Sequence, residues 1–295
     1  MTTAAQAFYG PFPTAYSRQD VLDGHVVHIN PALITLTEGM VARDSIQVLQ
    51  DRVRQAVLNL AADGVRTFHA DINLEDYGGF ASKLPDMNSE IFSPLFLAEL
   101  CEALRPHQAF VNVHLLTGSI AERLLAFRDV PIGAVCFQLD AVEADQLDRC
   151  LDLILEMGAC ASPVIETSGS DHLIPPSPDA VYRILSPRLD RIGMLTFQAA
   201  GTASRSNAAA GSFDSPRLGA YLEPFRHRFD GALQVQGGIT TQTIAAAVTE
   251  GFRFLVCGTQ LFHHKEGHTP QEVLGELLLR AADVLRPQRS EEPSG

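Results

Sequence analysis

The sequence predicts a single (β/α)8 barrel of the TIM type, and three observations carry that expectation. Eight short apolar runs recur along the chain, separated in several places by amphipathic stretches. Glycine turns follow the seventh and the eighth of these runs, where this fold usually holds a phosphate. The length, 295 residues with 46% hydrophobic content, is enough for one such barrel with insertions.

The runs are VVHINPALI (26–34), VRTFHADI (65–72), AFVNVHLL (109–116), IGAVCFQL (132–139), CASPVI (160–165), IGMLTF (192–197), ALQVQ (232–236) and FRFLVC (252–257). Short, nearly unbroken apolar runs read as parallel strands buried on both faces. Between them, Asp44-Ser45 can cap a helix whose Ile46, Leu49, Val53, Val57 and Leu60 share one stripe, with Gly64 as its stop. Val142–Met157 repeats the design with Leu147, Leu151, Ile154 and Gly158. Thr240-Thr241 opens a further helix that Gly251 ends, and 271–285 supplies the last. A doubly wound open sheet is the structural alternative, but it would place a GxGxxG turn after the first strand, and none is present. The expected organisation is an N-terminal arm (1–25, rich in Pro, Gly and aromatics), a barrel (26–286) and a disordered tail (287–295).

The formal charge of −13 argues against nucleic acid and anionic membrane surfaces, which need a cationic footprint. It leaves room for an anionic small molecule held by a local field. The N-terminus lacks a basic segment followed by an apolar one, and no apolar run has membrane-spanning length, so a cytoplasmic protein is expected. The five cysteines contain no CxxC, and three lie in strand-like runs, so they read as buried reduced thiols.

Reactive groups in this fold sit at the C-terminal ends of strands. His69 and Asp71 are two apart in the second run and point to one face. His114, near the end of the third run, falls on the neighbouring strand. The set His69, Asp71, His114 fits a three-ligand site for Zn2+, Fe2+ or Mn2+, and equally a hydrogen-bonded polar cluster without metal. The seventh run leads into Gln236-Gly237-Gly238 and the eighth into Cys257-Gly258-Thr259. Glycine turns ahead of helix starts offer unpaired N–H donors and a favourable dipole to a phosphate. Gln138 and Asp140, after strand four, are further polar candidates, and His25 and His28 read as packing or surface groups.

Taken in order, IleAsnProAlaLeuIle (29–34), HisAlaAsp (69–71), LeuProAspMet…PheSerPro (84–94), AsnValHisLeu (112–115), GlnGlyGlyIle (236–239) and CysGlyThrGlnLeuPhe (257–262) resemble the ribulose-phosphate 3-epimerase family across residues 26–265. The resemblance implies a ribulose-phosphate-binding barrel and a divalent metal held by two histidines and two aspartates, with the aspartates as acid and base on opposite faces of an enediolate. His69, Asp71 and His114 match three of these ligands, Asp71 being the first proton-transfer residue. It also implies a homo-oligomer, a dimer or larger.

The departures are informative. The family's second aspartate, in a Val-Asp-Gly-Gly motif, is Gln236 here, whose amide cannot act as a proton-transferring acid or base near neutral pH. The family's first-strand serine is Ala32, and Thr35 stands where a second serine would fall. Its glycine-rich lid after strand six is replaced by Gln198-Ala199-Ala200-Gly201-Thr202 and a small, polar run (203–212) that includes Arg205. Glu166 stands where the family has an asparagine. It reads as a relocated base, a fourth ligand or a surface glutamate. Gln236, Thr35 and Gln198 are the expected substrate contacts, and Gly237, Gly238, Gly258 and Thr259 the phosphate contacts.

The expected function is a metal-dependent isomerase or epimerase acting on a phosphorylated ketose. A sugar-phosphate lyase of retro-aldol type, a non-catalytic sugar-phosphate binder and a scaffolding role for the arm are the alternatives.

Overall fold

The computed structural model describes residues 27–37, 45–73, 87–167, 176–199, 213, 215–263 and 267–285. The arm, the tail, His25, the start of the 84–94 motif (84–86) and the 200–212 run with Arg205 lie outside the described residues.

All eight expected strands form. They are β1 (His28–Pro31), β2 (Thr67–Asn73), β3 (Phe110–Leu116), β4 (Ala134–Gln138), β5 (Cys160–Glu166), β6 (Met194–Gln198), β7 (Ala232–Gln236) and β8 (Phe254–Cys257). They build one parallel sheet in the order β1-β8-β7-β6-β5-β4-β3-β2, and a parallel bridge between Ala32 and His69 brings its two ends together. The architecture is therefore the barrel, not the doubly wound sheet.

Local chemistry sets the helices. Ser45 Oγ accepts from the Val48 N–H and starts the helix Ile46–Ala62, which buries Leu49, Val53, Val57 and Leu60 as the stripe requires. Gly64 follows it with φ +101°. Ser93 and Ser177 cap Pro94–Leu104 and Pro178–Leu185 in the same way. The last helix spans Pro270–Leu285.

Three boundaries differ from the sequence expectation. The first strand stops at Pro31, and Leu33–Leu36 form a 3-10 turn. Leu33, Ile34 and Thr35 are buried in this turn, and an apolar run does not distinguish such a turn from a strand. The helix after strand four begins at Leu147, not Val142. The helix after strand seven begins at Ile244, because the Thr243 hydroxyl donates to Gly238 O (2.6 Å) and accepts from Thr240 N (2.9 Å), which fixes 240–243 as a turn.

The apolar core has two parts. Outward strand residues such as Phe68, Val113, Phe137, Leu195 and Leu255 pack under the helices. Phe197, Phe225 and Phe252 meet there edge to face. A separate cluster, with Phe110, Cys160, Met194, Ala232 and Phe254, plugs the lower barrel. Above this plug runs a polar belt. Thr67 donates to Asn30 Oδ1, and Asn30 Nδ2 donates to Gln234 Oε1 at 2.7 Å. Gln234 Nε2 then donates to Thr196 Oγ1 at 3.0 Å, and Thr196 pairs with Ser162 Oγ at 2.7 Å. All five residues are fully buried, so the belt holds as a mutually satisfied network.

All five cysteines are buried free thiols. Burial pushes Cys136 up to about 11 and Cys101 and Cys257 up to about 12, so they remain protonated and unreactive near neutral pH. Among the described residues, no helix is long and apolar enough to cross a membrane.

Candidate active site

The polar belt fixes which strand residues face inward. Thr67 points inside, so His69 and Asp71, two and four residues on, do as well. The β2–β3 ladder sets His69 beside Asn112 and Asp71 beside His114. Four polar side chains thus share one corner of the upper barrel, all at least 95% buried.

Three of them converge. His114 Nδ1 lies 3.0 Å from Asp71 Oδ1, and His69 Nε2 lies 3.4 Å from the same oxygen. The two rings are 5.4 Å apart and tilted by 55°. One ligand atom from each residue falls within 4.8 Å of the others. Among the described residues, neither ring nitrogen of His69 has a hydrogen-bond partner, and neither does the Asn112 amide. Leaving such buried groups unpaired is costly, which makes a bound cation or water the natural complement. Two imidazoles and a carboxylate are a donor set for Zn2+, Fe2+ or Mn2+. The sequence reading missed Asn112, although its place two residues before His114 puts it on the same face.

A second polar group comes from β4, β6 and β7. Gln198 Oε1 accepts from Gln236 Nε2 at 2.8 Å and from Gln138 Nε2 at 3.2 Å. In a barrel of this kind, inward side chains from alternate strands share a level. The registers put Asp71, Gln138 and Gln198 on one level, with His114 and Gln236 on the level below. Of the three amides, those of β6 and β7 lie on strands opposite β2 and β3, while Gln138 is on β4, next to β3. Gln236 stands where the resemblance places an aspartate, and its amide nitrogen is turned to Gln198.

Glu166 ends β5 beside Gln198 and is 6% exposed, so it is no surface glutamate. It stands on the far side of the mouth from Asp71. Its charge also reaches Tyr221 on the helix Ser215–Leu222, where burial first, then Arg217 and Glu166, act on the phenol. Asp140 is exposed on the turn after β4. His28 lies at the barrel floor, stacked on Phe254 with ring centroids 4.7 Å apart, far below the site. Burial, and secondly Arg66, lower its pKa to about 4.

The glycine turns lie at the same mouth. Gly237 (φ +87°) and Gly238 (φ +75°) take left-handed backbone, which favours glycine. Among the described residues, no backbone hydrogen bond outside the helices and strands is donated by the N–H of Gly237, Gly238 or Gly258. Gly258 leads into the short helix Thr259–Phe262 and is pressed against the β1 turn. A Cβ there would lie 2.7 Å from Thr35 Cγ2. Thr35 donates its hydroxyl to Ala32 O, and its carbonyl accepts from His263 Nε2 at 2.8 Å.

No family model and no curated protein matches the sequence. Solved structures do match in fold. The 3-hexulose-6-phosphate synthase from Salmonella typhimurium superposes with a TM-score of 0.55 at 16% identity, covering 78% of this chain and 93% of that one. Orotidine 5'-phosphate decarboxylase from Pyrococcus horikoshii gives 0.54 at 10% identity, over 88% and 100%. Thiamine phosphate pyrophosphorylase from Pyrococcus furiosus gives 0.53 at 10%, over 90% and 100%. At these identities the likeness carries the barrel fold and does not single out the epimerase family.

Proposed function

We propose that this protein is a metal-dependent enzyme that binds a phosphorylated ketose or related sugar phosphate and acts on it as an isomerase or epimerase through an enediolate. The observation that carries the proposal is the buried convergence of His69, Asp71 and His114, with neither His69 ring nitrogen hydrogen-bonded among the described residues. The fold neighbours support the substrate class, since their names specify hexulose 6-phosphate, orotidine 5'-phosphate and thiamine phosphate.

His69, Asp71 and His114 would hold the ion, and Gln236 leaves the fourth position of the family's pattern without a carboxylate. When bound, a divalent cation supplies polarisation of the sugar carbonyl and lowers the energy of the adjacent carbanion. Asp71 takes the proton from the carbon next to the carbonyl and returns it to the same or the neighbouring carbon. The N–H groups around Gly237, Gly238, Gly258 and Thr259 would receive the phosphate, which fixes the far end of the chain and orients the reacting carbons. Thr35 would contribute through the β1 turn that braces Gly258. The buried plug and polar belt below exclude water from the floor of the site. Glu166, across the mouth from Asp71, is the group placed to serve as a second base. We further propose that the enzyme works as a homo-oligomer in the cytoplasm.

A second reading rests on Gln236. With an amide in place of the second carboxylate, one-base chemistry, a 1,2-shift isomerisation or a retro-aldol cleavage, needs no further group. One experiment tests the core claim. Purified full-length protein should bind about one divalent ion per chain, and Asp71→Asn and His114→Ala should each abolish it while melting remains cooperative. It should also exchange solvent deuterium into a pentulose or hexulose phosphate. Absence of both metal and exchange would leave a non-catalytic sugar-phosphate binder.

A further inference from the structure

Gln138, Gln198 and Gln236 come from three different strands, yet their amides meet within the barrel mouth. Gln198 Oε1 takes a hydrogen bond from each of the other two. That double acceptance sets both outer amides the same way round. Their Nε2 atoms turn to the hub and their Oε1 atoms turn away from it. Among the described residues, Gln138 Oε1 and Gln236 Oε1 have no hydrogen-bond partner, although the residues are 1% and 7% exposed. Two buried acceptors held by one hub, in the same upper barrel as Asp71 and His114, form a built recognition surface, not a chance contact.

We infer that this amide cluster is a subsite for two hydroxyl groups of one short polyol chain and that it sets substrate specificity. The inference rests on the sugar-phosphate reading of the same site. An amide oxygen only accepts, so its complement is a donor. It carries no formal charge, so it suits a neutral hydroxyl better than an ammonium, for which a carboxylate would be the stronger partner. The common hub keeps the two oxygens within reach of hydroxyls on one carbon chain. A ligand without those hydroxyls would leave both acceptors buried and unpaired, and sites of this kind reject such analogues strongly. The amide at residue 236, where the family resemblance would place a carboxylate, thus serves as a hydroxyl reader.

Equilibrium binding to the full-length chain tests this. The probes are D-ribulose 5-phosphate, n-pentyl phosphate and inorganic phosphate. Wild-type protein should bind D-ribulose 5-phosphate at least tenfold more tightly than n-pentyl phosphate. Gln138→Met and Gln236→Met, close in volume but lacking the acceptor, should each weaken D-ribulose 5-phosphate by about tenfold and leave the other two probes unchanged. Equal binding of the two esters by wild type would overturn the inference without any variant. So would equal weakening of both esters in the variants. If no phosphate probe binds, the phosphate reading itself fails, and the proteins are titrated with D-ribulose. Binding by wild type that the methionine variants lose keeps the amide subsite, and its absence ends it.

Discussion

Gly258→Ala tests how β8 is seated against the β1 turn. The added methyl would lie 2.7 Å from Thr35 Cγ2, 3.2 Å from Thr35 Oγ1 and 3.2 Å from Ala32 Cβ. Real Cβ atoms essentially never approach within 3.0 Å, so something must move. Thr35 is poorly placed to do so. Its hydroxyl is tied to Ala32 O, and its carbonyl to His263 Nε2. Gly258 has φ −116°, outside the left-handed region, so contact is the main source of strain. Overpacking of a tight site costs about 1–3 kcal/mol. Thr35→Ser removes the 2.7 Å contact and keeps the hydroxyl bond. In urea unfolding at constant m value, Gly258→Ala should lose about 1–3 kcal/mol, and the double variant should recover about 1 kcal/mol of it. A single-variant cost below about 0.5 kcal/mol, or strict additivity in the double variant, would refute the packing argument. The double variant also isolates the cradle. If Gly258 lets the backbone approach a phosphate, inorganic phosphate affinity stays reduced after stability has recovered.

Two further expectations concern charge. His28 has a native pKa of about 4, pushed down by burial and then by Arg66, against an unfolded value of 6.5. The unfolded chain therefore takes up the proton first, so the contribution is full above pH 6.5 and is lost as pH falls from 6.5 towards 4. The slope should reach about 1.4 kcal/mol per pH unit, and His28→Leu should flatten it in chemical denaturation across that window. An unchanged slope would show that the ring charges freely in the fold. Gln236→Asp returns a carboxylate to the position the family resemblance expects. It should lower the melting temperature of metal-free protein, because the side chain is 93% buried (7% exposed). It should also tighten Zn2+ binding by about tenfold or more. Unaltered Zn2+ affinity in calorimetry would show that residue 236 does not face the ion.

Much of the site was legible because its parts are local. His69 and Asp71 share a strand, so a period of two places both on one face whatever the rest of the chain does. The same rule carries from His114 back to Asn112. The glycine pair 237–238 announces itself through the left-handed backbone that only glycine takes readily. Strand ends and helix starts were less legible. Leu33–Leu36 are as apolar as a strand, and the Thr240–Thr243 turn is held by a side-chain bond that periodicity does not register.

The sequence alone determined the barrel, since eight buried runs broken by caps and turns have few other ways to hide both strand faces. It also supplied the glycine turns after β7 and β8 and the pairing of His69 with Asp71 on one strand face. Only the tertiary structure decided what meets what. Strand register set His114 against Asp71, closed Gly258 on Thr35, and joined Gln138, Gln198 and Gln236 around one oxygen. Those pairs lie tens to hundreds of residues apart, and no local pattern encodes them. Barrel closure and the stagger between parallel strands fix their distances.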